Sequence, residues 1–160
     1  MFKANLLRFG GFKMDEIDSH ILELIQLDGR ITLSDLSKKM HLSRTSIRER
    51  LIRLQEQGVI ERYTAQISPS AVGRQILAFI QVGELKVNCN KFEEIIKDDP
   101  DIFECHRVTG SASYFIKVAV ADTASLELLI DRIIPYGQVN TSIVLSSHVP
   151  YKPITPAKKI

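Results

Sequence analysis

Long apolar runs are missing from this 160-residue chain. No stretch approaches the ~20 apolar residues needed to span a bilayer, so no membrane partner is expected. Cysteine is scarce: Cys89 and Cys105 stand alone, with no CxxC. That excludes a disulfide framework and a zinc-ribbon spacing, and makes a reducing cytoplasm the default location. A dominant sign of charge is missing as well, with 21 Lys/Arg against 19 Asp/Glu and a net charge of +2. Whole-chain charge therefore names no partner. Neither a GxGxxG nor a P-loop occurs, and no cofactor is expected.

What is present is ordinary globular material, 44% hydrophobic and 25% charged, enough for one domain or two small ones. The first 66 residues hold 11 Lys/Arg against 9 Asp/Glu, and the remainder holds 10 of each. The opening "MFKANLLRFGGFK" has three basic residues and no acid, but Arg8, Gly10 and Gly11 interrupt its apolar residues. It lacks the continuous core of a secretory signal and reads as a basic extension over residues 1–13. The proline-rich "PYKPITPAKKI" predicts a loose tail over residues 149–160.

Between these ends the apolar period changes once. Ile17, Ile21, Leu22, Leu24 and Ile25 fall on one helical stripe, with Asp15, Glu16 and Asp18 crowding the first turn. Thr32, with Asp35 three residues on, starts a second helix whose stripe is Leu33, Leu36 and Met40. His41-Leu42 is short enough for only a tight turn. Ser43 is an N-cap for a third helix carrying Ile47, Leu51 and Leu54 and ending at Gly58. "VIERYTAQI" alternates and predicts a strand or small hairpin. These elements make a DNA-binding domain over 14–66, followed by a linker over 67–74.

From 75 to 148 the order is βαββαβ: strands over 75–85, 102–108, 113–120 and 138–147, helices over 90–99 and 124–134. Phe92, Ile95 and Ile96, then Leu126, Leu129, Ile130 and Ile133, form helix faces suited to cover one side of a sheet. The fold class is α+β: a winged helix-turn-helix followed by a ferredoxin-like domain.

The third helix carries the chemistry. In a helix-turn-helix the second helix of the pair enters the major groove with its leading residues first. Here those are Ser43, Arg44, Thr45 and Ser46, all able to donate hydrogen bonds, with Arg48 one turn on. With Ile47 centred on the buried face, Leu51 and Leu54 stay within about 40° of it, and Ser46, Arg48 and Arg53 project to either side. Four arginines face only Glu49 and Glu56, and Lys38 and Lys39 close the preceding helix. Such a local positive field suits phosphate, and short polar or guanidinium groups suit base edges. A plain three-helix bundle with a solvated charged face would carry the same arginines. The cap, the tight turn and the polar leading turn together favour double-stranded DNA. Arg50, one residue before Leu51, reads instead as a partner for an acid of the first helix.

Taken together, "MDEIDSHILELIQLDGRITLSDLSKKMHLSRTSIRERLIRLQEQGVIERYTAQISPSAVG" resembles the N-terminal half of a feast/famine regulator of the Lrp/AsnC family. "FECHRVTGSASYFIKVAV" is similar to the central hairpin of that family's ligand-sensing domain, and the resemblance covers about residues 14–148. It implies a prokaryotic transcription regulator that self-associates as a dimer, with tetramers or octamers as larger assemblies. It also implies an amino acid or related metabolite as effector. Two departures stand out. His41 occupies the turn where the family usually has glycine, and histidine tolerates positive φ better than most residues. The hairpin reads Gly110, Ser111, Ala112, Ser113, Tyr114 where the family usually places acids near the tyrosine. These five residues are the candidate effector pocket. A bound ammonium needs a carboxylate or several carbonyls, so loss of the acids predicts weak amino-acid binding.

Other groups carry less. Cys105 and His106 are strand neighbours and point to opposite faces, so they cannot share a metal, and no metal or catalytic residue is expected. Three functions stay open: an effector-responsive regulator, an architectural DNA-bending protein, and an enzyme, since some relatives of the fold are sirohaem decarboxylases. The arginine-rich helix argues against the enzyme.

Overall fold

A computed structural model describes residues 14–149 and 151–157. The basic extension expected over 1–13 lies outside the described residues. Contacts gather the chain into two units, one reaching to Ala65 and resuming at Val149, the other Gln66–His148.

The first unit is built on α1 (Glu16–Leu27), α2 (Leu33–Met40) and α3 (Arg44–Glu56). Each start is fixed by a side-chain cap: Asp15 accepts from the backbone N–H of Asp18, Thr32 from Asp35, Ser43 from Ser46. The α2–α3 turn passes through His41 in the left-handed region at φ 54°, so histidine does fill the position that glycine would fill more cheaply. α3 ends in a Schellman turn. Val59 N–H reaches Leu54 O, Gly58 N–H reaches Gln55 O, and Gly58 supplies the φ of 71° that the turn requires. Ile21, Leu36 and Ile47 form the fully buried centre, and Leu22, Leu54 and Ile60 extend it.

Two expectations fail here. Residues 59–67 form no strand, because none of their backbone joins a ladder among the described residues, and only Ile60 of the segment is buried. Nor is the described part of the tail, Val149 and residues 151–157, loose. The Gln26 side chain donates to Ile154 O and accepts from Ile154 N, both at 3.0 Å, as a peptide group would. Tyr151 also reaches Gln26 Oε1 at 3.4 Å.

The second unit holds β1 (Ile76–Gly83), α4 (Cys89–Ile96), β2 (Ile102–Arg107), β3 (Tyr114–Val120), α5 (Thr123–Ile133) and β4 (Gln138–Ile143). The sheet is antiparallel throughout in the order β2-β3-β1-β4, the ferredoxin-like arrangement. Ile80 sits opposite Ile116 on one side and Thr141 on the other. β4 is shorter than the apolar pattern implied. Val144 N–H still reaches Leu77 O, but β1 starts at Ile76 and offers no further partner. Pro135 turns the chain at the end of α5 into a 3-10 turn over Ile134–Tyr136.

Both helices cover one face. Phe92 and Ile96 of α4 and Leu126, Leu129 and Ile133 of α5 pack on Ala78, Ile80, Val82, Ile116 and Val118. Ile95 is 38% exposed and stands outside that face, unlike the expectation. The other sheet face shows Phe79 and Phe115 to solvent. The expected linker is tied down: Arg74 donates to Asp101 at 2.8 Å, to Pro100 O at 2.8 Å and to Ala119 O.

One close approach makes the β1–β4 pairing sensitive to a single methyl group. A Cβ on Gly137 would sit 2.6 Å from Gly83 O, a backbone atom of the neighbouring strand. The backbone of Gly137 is extended, at φ 176°, so the obstacle is contact and not conformation. Gly137→Ala is expected to destabilise the protein by about 1–3 kcal/mol. Urea unfolding against the unaltered chain checks it, and an unchanged midpoint would show that the strands part without cost.

Candidate nucleic-acid interface

The position of α3 is set from α1 through one carboxylate. Asp18 is completely buried and sits at the third helical position, one turn before Ile21 and Leu22. It accepts from Asp15 N–H at 3.2 Å while Asp15 accepts from Asp18 N–H at 2.7 Å, a reciprocal capping box. Asp18 also receives Arg50 Nη1 at 2.7 Å and Arg53 Nη2 at 2.7 and 2.9 Å. Arg50 Nη1 donates in addition to Asp15 at 2.7 Å. A buried carboxylate is tolerated only when so thoroughly bonded. The bonds to Asp15 and then Asp18 raise the pKa of Arg50 further, against the opposing effect of burial. At Asp15, burial favours the neutral acid, but the Asp18 N–H and Arg50 together outweigh it and hold the carboxyl below its ordinary value.

This geometry sorts the four arginines into two pairs. Arg50 is structural, as its place beside Leu51 implied. Arg53 is a correction. It was expected to project towards DNA, but its guanidinium turns onto Asp18. The sequence signal was available: Asp18 shares the apolar face of α1, three and four residues before Ile21 and Leu22, where an acid must find a cation. Arg44 and Arg48 differ. Both are exposed, and neither has a hydrogen-bond or ion-pair partner among the described residues.

The rest of the leading turn follows the sequence reading. Ser43 caps the helix, with its hydroxyl 3.1 Å from Ser46 N. Ser43 and Thr45 are exposed and Ser46 is half-buried. Lys38 and Lys39 end α2, both exposed. The hydrogen bond from the Thr32 hydroxyl lowers the pKa of Asp35 against the opposing effect of desolvation, with help from Lys38 and Lys39. The surface around the start of α3 is thus cationic and rich in donors, and its loose cations lie at the end that would lead into a groove.

The hairpin expected to hold an effector is less open than its sequence implied. Gly110 turns at φ 115°, Ser111 is exposed, and Ala112 is buried. Ser113 spends its N–H on Val82 O at 2.8 Å and its carbonyl on Val108 N–H. Gly110, Ser111, Ala112 and Ser113 line neither of two clefts on this unit. Tyr114 is a sheet-core residue, 1% exposed, whose hydroxyl donates to Glu93 at 2.6 Å. Burial first, and that bond next, push its pKa up. Four of the five residues thus stand outside both clefts, and Tyr114 lines one of them. Among the described residues no three His, Cys, Asp or Glu side chains gather as metal ligands. No described helix is long and apolar enough to cross a membrane.

Comparisons with known proteins agree with this layout. Residues 14–61 match a family described as winged helix-turn-helix DNA-binding, and residues 77–154 match the Lrp/AsnC ligand binding domain. The HTH-type transcriptional regulator FL11 of Pyrococcus furiosus is 35% identical over 141 residues, covering 84% of this chain and 91% of that protein. The structure of Bacillus subtilis LrpC aligns with a TM-score of 0.83 at 27% identity, over 88% of this chain and 100% of that one. A feast or famine regulatory protein from M. tuberculosis, solved in complex with L-methionine, aligns with a TM-score of 0.83 at 29% identity, over 90% and 100%.

The Asp18 cluster yields two expected outcomes. Asp18→Ala removes the buried carboxylate that Arg50 and Arg53 share and is expected to cost about 3–5 kcal/mol, measured by denaturant unfolding. The second outcome is a pH dependence. The folded-state pKa of Asp15 lies below its reference value of 3.8. Its contribution is therefore complete above 3.8 and is lost as pH falls through the lower folded value. Thermal melts of the unaltered chain and Asp15→Asn should differ near neutral pH and converge in acid. A gap that persists in strong acid would remove the charge of Asp15 from the account.

Proposed function

Since the chain belongs to the Lrp/AsnC family of DNA-binding transcriptional regulators, we propose that the leading turn of α3 is its reading surface on double-stranded DNA. The relatives it matches are named as regulators and not as enzymes. The observation that carries the proposal is the sorting of the arginines. Arg50 and Arg53 hold α3 in place, whereas Arg44 and Arg48 stand exposed beside Ser43, Thr45 and Ser46, without partners among the described residues. Lys38 and Lys39 contribute phosphate contacts, and Arg53 serves the orientation of the helix. The protein works in this reading without catalysis or cofactor, in the cytoplasm.

Regulation is proposed along the same lines. The solved relative binds L-methionine. In this chain the hairpin from Gly110 to Ser113 offers no acid for an ammonium and lines neither of the two clefts described above. The hairpin therefore takes ordinary amino acids weakly, and DNA binding does not depend on them.

Assembly follows from the sheet. Helices cover only one of its faces, and Phe79 and Phe115, 39% and 37% exposed, stand on the other. Pairing of these faces buries them and sets two reading helices for a two-fold symmetric site.

Two outcomes are expected. Arg48→Ala weakens DNA binding by about 1–3 kcal/mol if the guanidinium reads a base. If it meets only phosphate, the loss is equal on all sequences and the salt slope falls by about one. Titration of operator and random duplex at several salt concentrations separates these, and unchanged affinity in a folded variant removes Arg48 from the surface. Phe79→Glu is expected to yield monomers by light scattering and to weaken DNA binding through lost pairing. A variant that keeps the assembly of the unaltered chain would place the interface elsewhere.

A further inference from the structure

A cleft of about 360 Å³ opens between α4 and the edge strand β2, with Tyr114 at its floor. Ile96, Ile102 and Phe103 give it an apolar wall, and four charged side chains line it. The two acids are already engaged. Glu93 accepts the Tyr114 hydroxyl at 2.6 Å. Glu104 receives Lys117 at 3.0 Å and lies 3.7 Å from His106. The two cations, Lys97 and Arg107, are exposed and have no side-chain partner among the described residues. Burial and then Glu93 push the Cys105 thiol up to about 11, so it adds no negative charge near neutrality.

We infer that this cleft is a binding site for a small organic anion, a carboxylate with a short apolar body and no α-ammonium. A planar guanidinium and a mobile ammonium suit a carboxylate, which takes two donors at once. The apolar wall removes the hydrocarbon body from water, and the volume falls at the lower end of small-molecule sites. A zwitterionic amino acid fits less well, because its ammonium would have to draw Glu93 from Tyr114 or Glu104 from Lys117. The site is separate from the hairpin at Gly110–Ser113, and all of its residues lie in Gln66–His148. It goes beyond the DNA-binding reading and fails or stands without it.

Calorimetry on the full chain tests it, with 3-methylbutanoate and phenylacetate as probes and leucine and 3-methylbutanol as controls. Both carboxylates are expected to bind, with leucine and the alcohol at least about ten-fold weaker, the effect of one charge-assisted contact. Lys97→Gln and Arg107→Gln should each weaken the carboxylates about ten-fold. Lys91→Gln, on α4 outside the cleft, should leave them unchanged. No heat from either carboxylate at millimolar concentration overturns the site, as does leucine binding equally well. Carboxylate binding that survives Lys97→Gln combined with Arg107→Gln overturns it too. DNA affinity of that double variant, measured without probe, should match the unaltered chain. A loss there would count against the placing of the DNA surface, not against the cleft.

Discussion

Everything the N-terminal unit presents to the outside depends on how one buried carboxylate is satisfied. Asp18 has no water to turn to, so it must hold Asp15 N–H, Arg50 and Arg53 together. These bonds span from the first turn of α1 to the middle of α3, and they are directional where the packing of Ile21, Leu36 and Ile47 is not. Apolar contact brings the helices together. The ion cluster fixes the rotation and register of α3, and therefore which side chains face outward. Buried ion pairs often add little net stability. Here the cluster acts on specificity of arrangement, since a helix turned by one residue would move Arg48 off its face.

The C-terminal unit obeys a different constraint. Two helices cannot cover both faces of four strands. Ala78, Ile80 and Val82 are sealed beneath α4 and α5, while Phe79 is left on the far side. The helices also fall short of the edge strand β2, which leaves Cys105 and Arg107 beside an open cleft. One shortage of cover thus leaves both a flat apolar face and a small charged recess.

Much of this was legible in the sequence, for identifiable reasons. Ser43 and Thr32 are caps whose chemistry is local, so those two helix starts could be read directly, whereas Asp15 was placed in the first turn of α1 and proves to be its cap. The alternation of Tyr114, Ile116, Val118 and Val120 set the buried face of β3 without any tertiary knowledge. What was not legible depends on partners distant in the chain. The alternating segment 59–67 looks like a strand, but a strand needs a second backbone. Arg48 and Arg53 look alike in a helical projection; an acid on the apolar face of α1 signals that some cation must meet it, but not that Arg53 joins Arg50 there. Nothing in the residues Ser111 and Ser113 announces that the Ser113 backbone is tied to Val82 O. The proline-rich tail looked loose because nothing in it announces Gln26, 128 positions away.

That last contact bears on the order in which the molecule is made. Residues 14–65 leave the ribosome before Gln66–His148, and they hold the caps and core residues of α1 to α3. The Gln26 amide then waits while the whole of Gln66–His148 is synthesised, and meets Ile154 only when translation has passed it. The DNA-binding head is therefore begun early and finished late, from both sides of the sensor-like unit inserted between its parts. A nascent chain can hold a folded head before it holds a completed one, and the Gln26–Ile154 pair marks the difference.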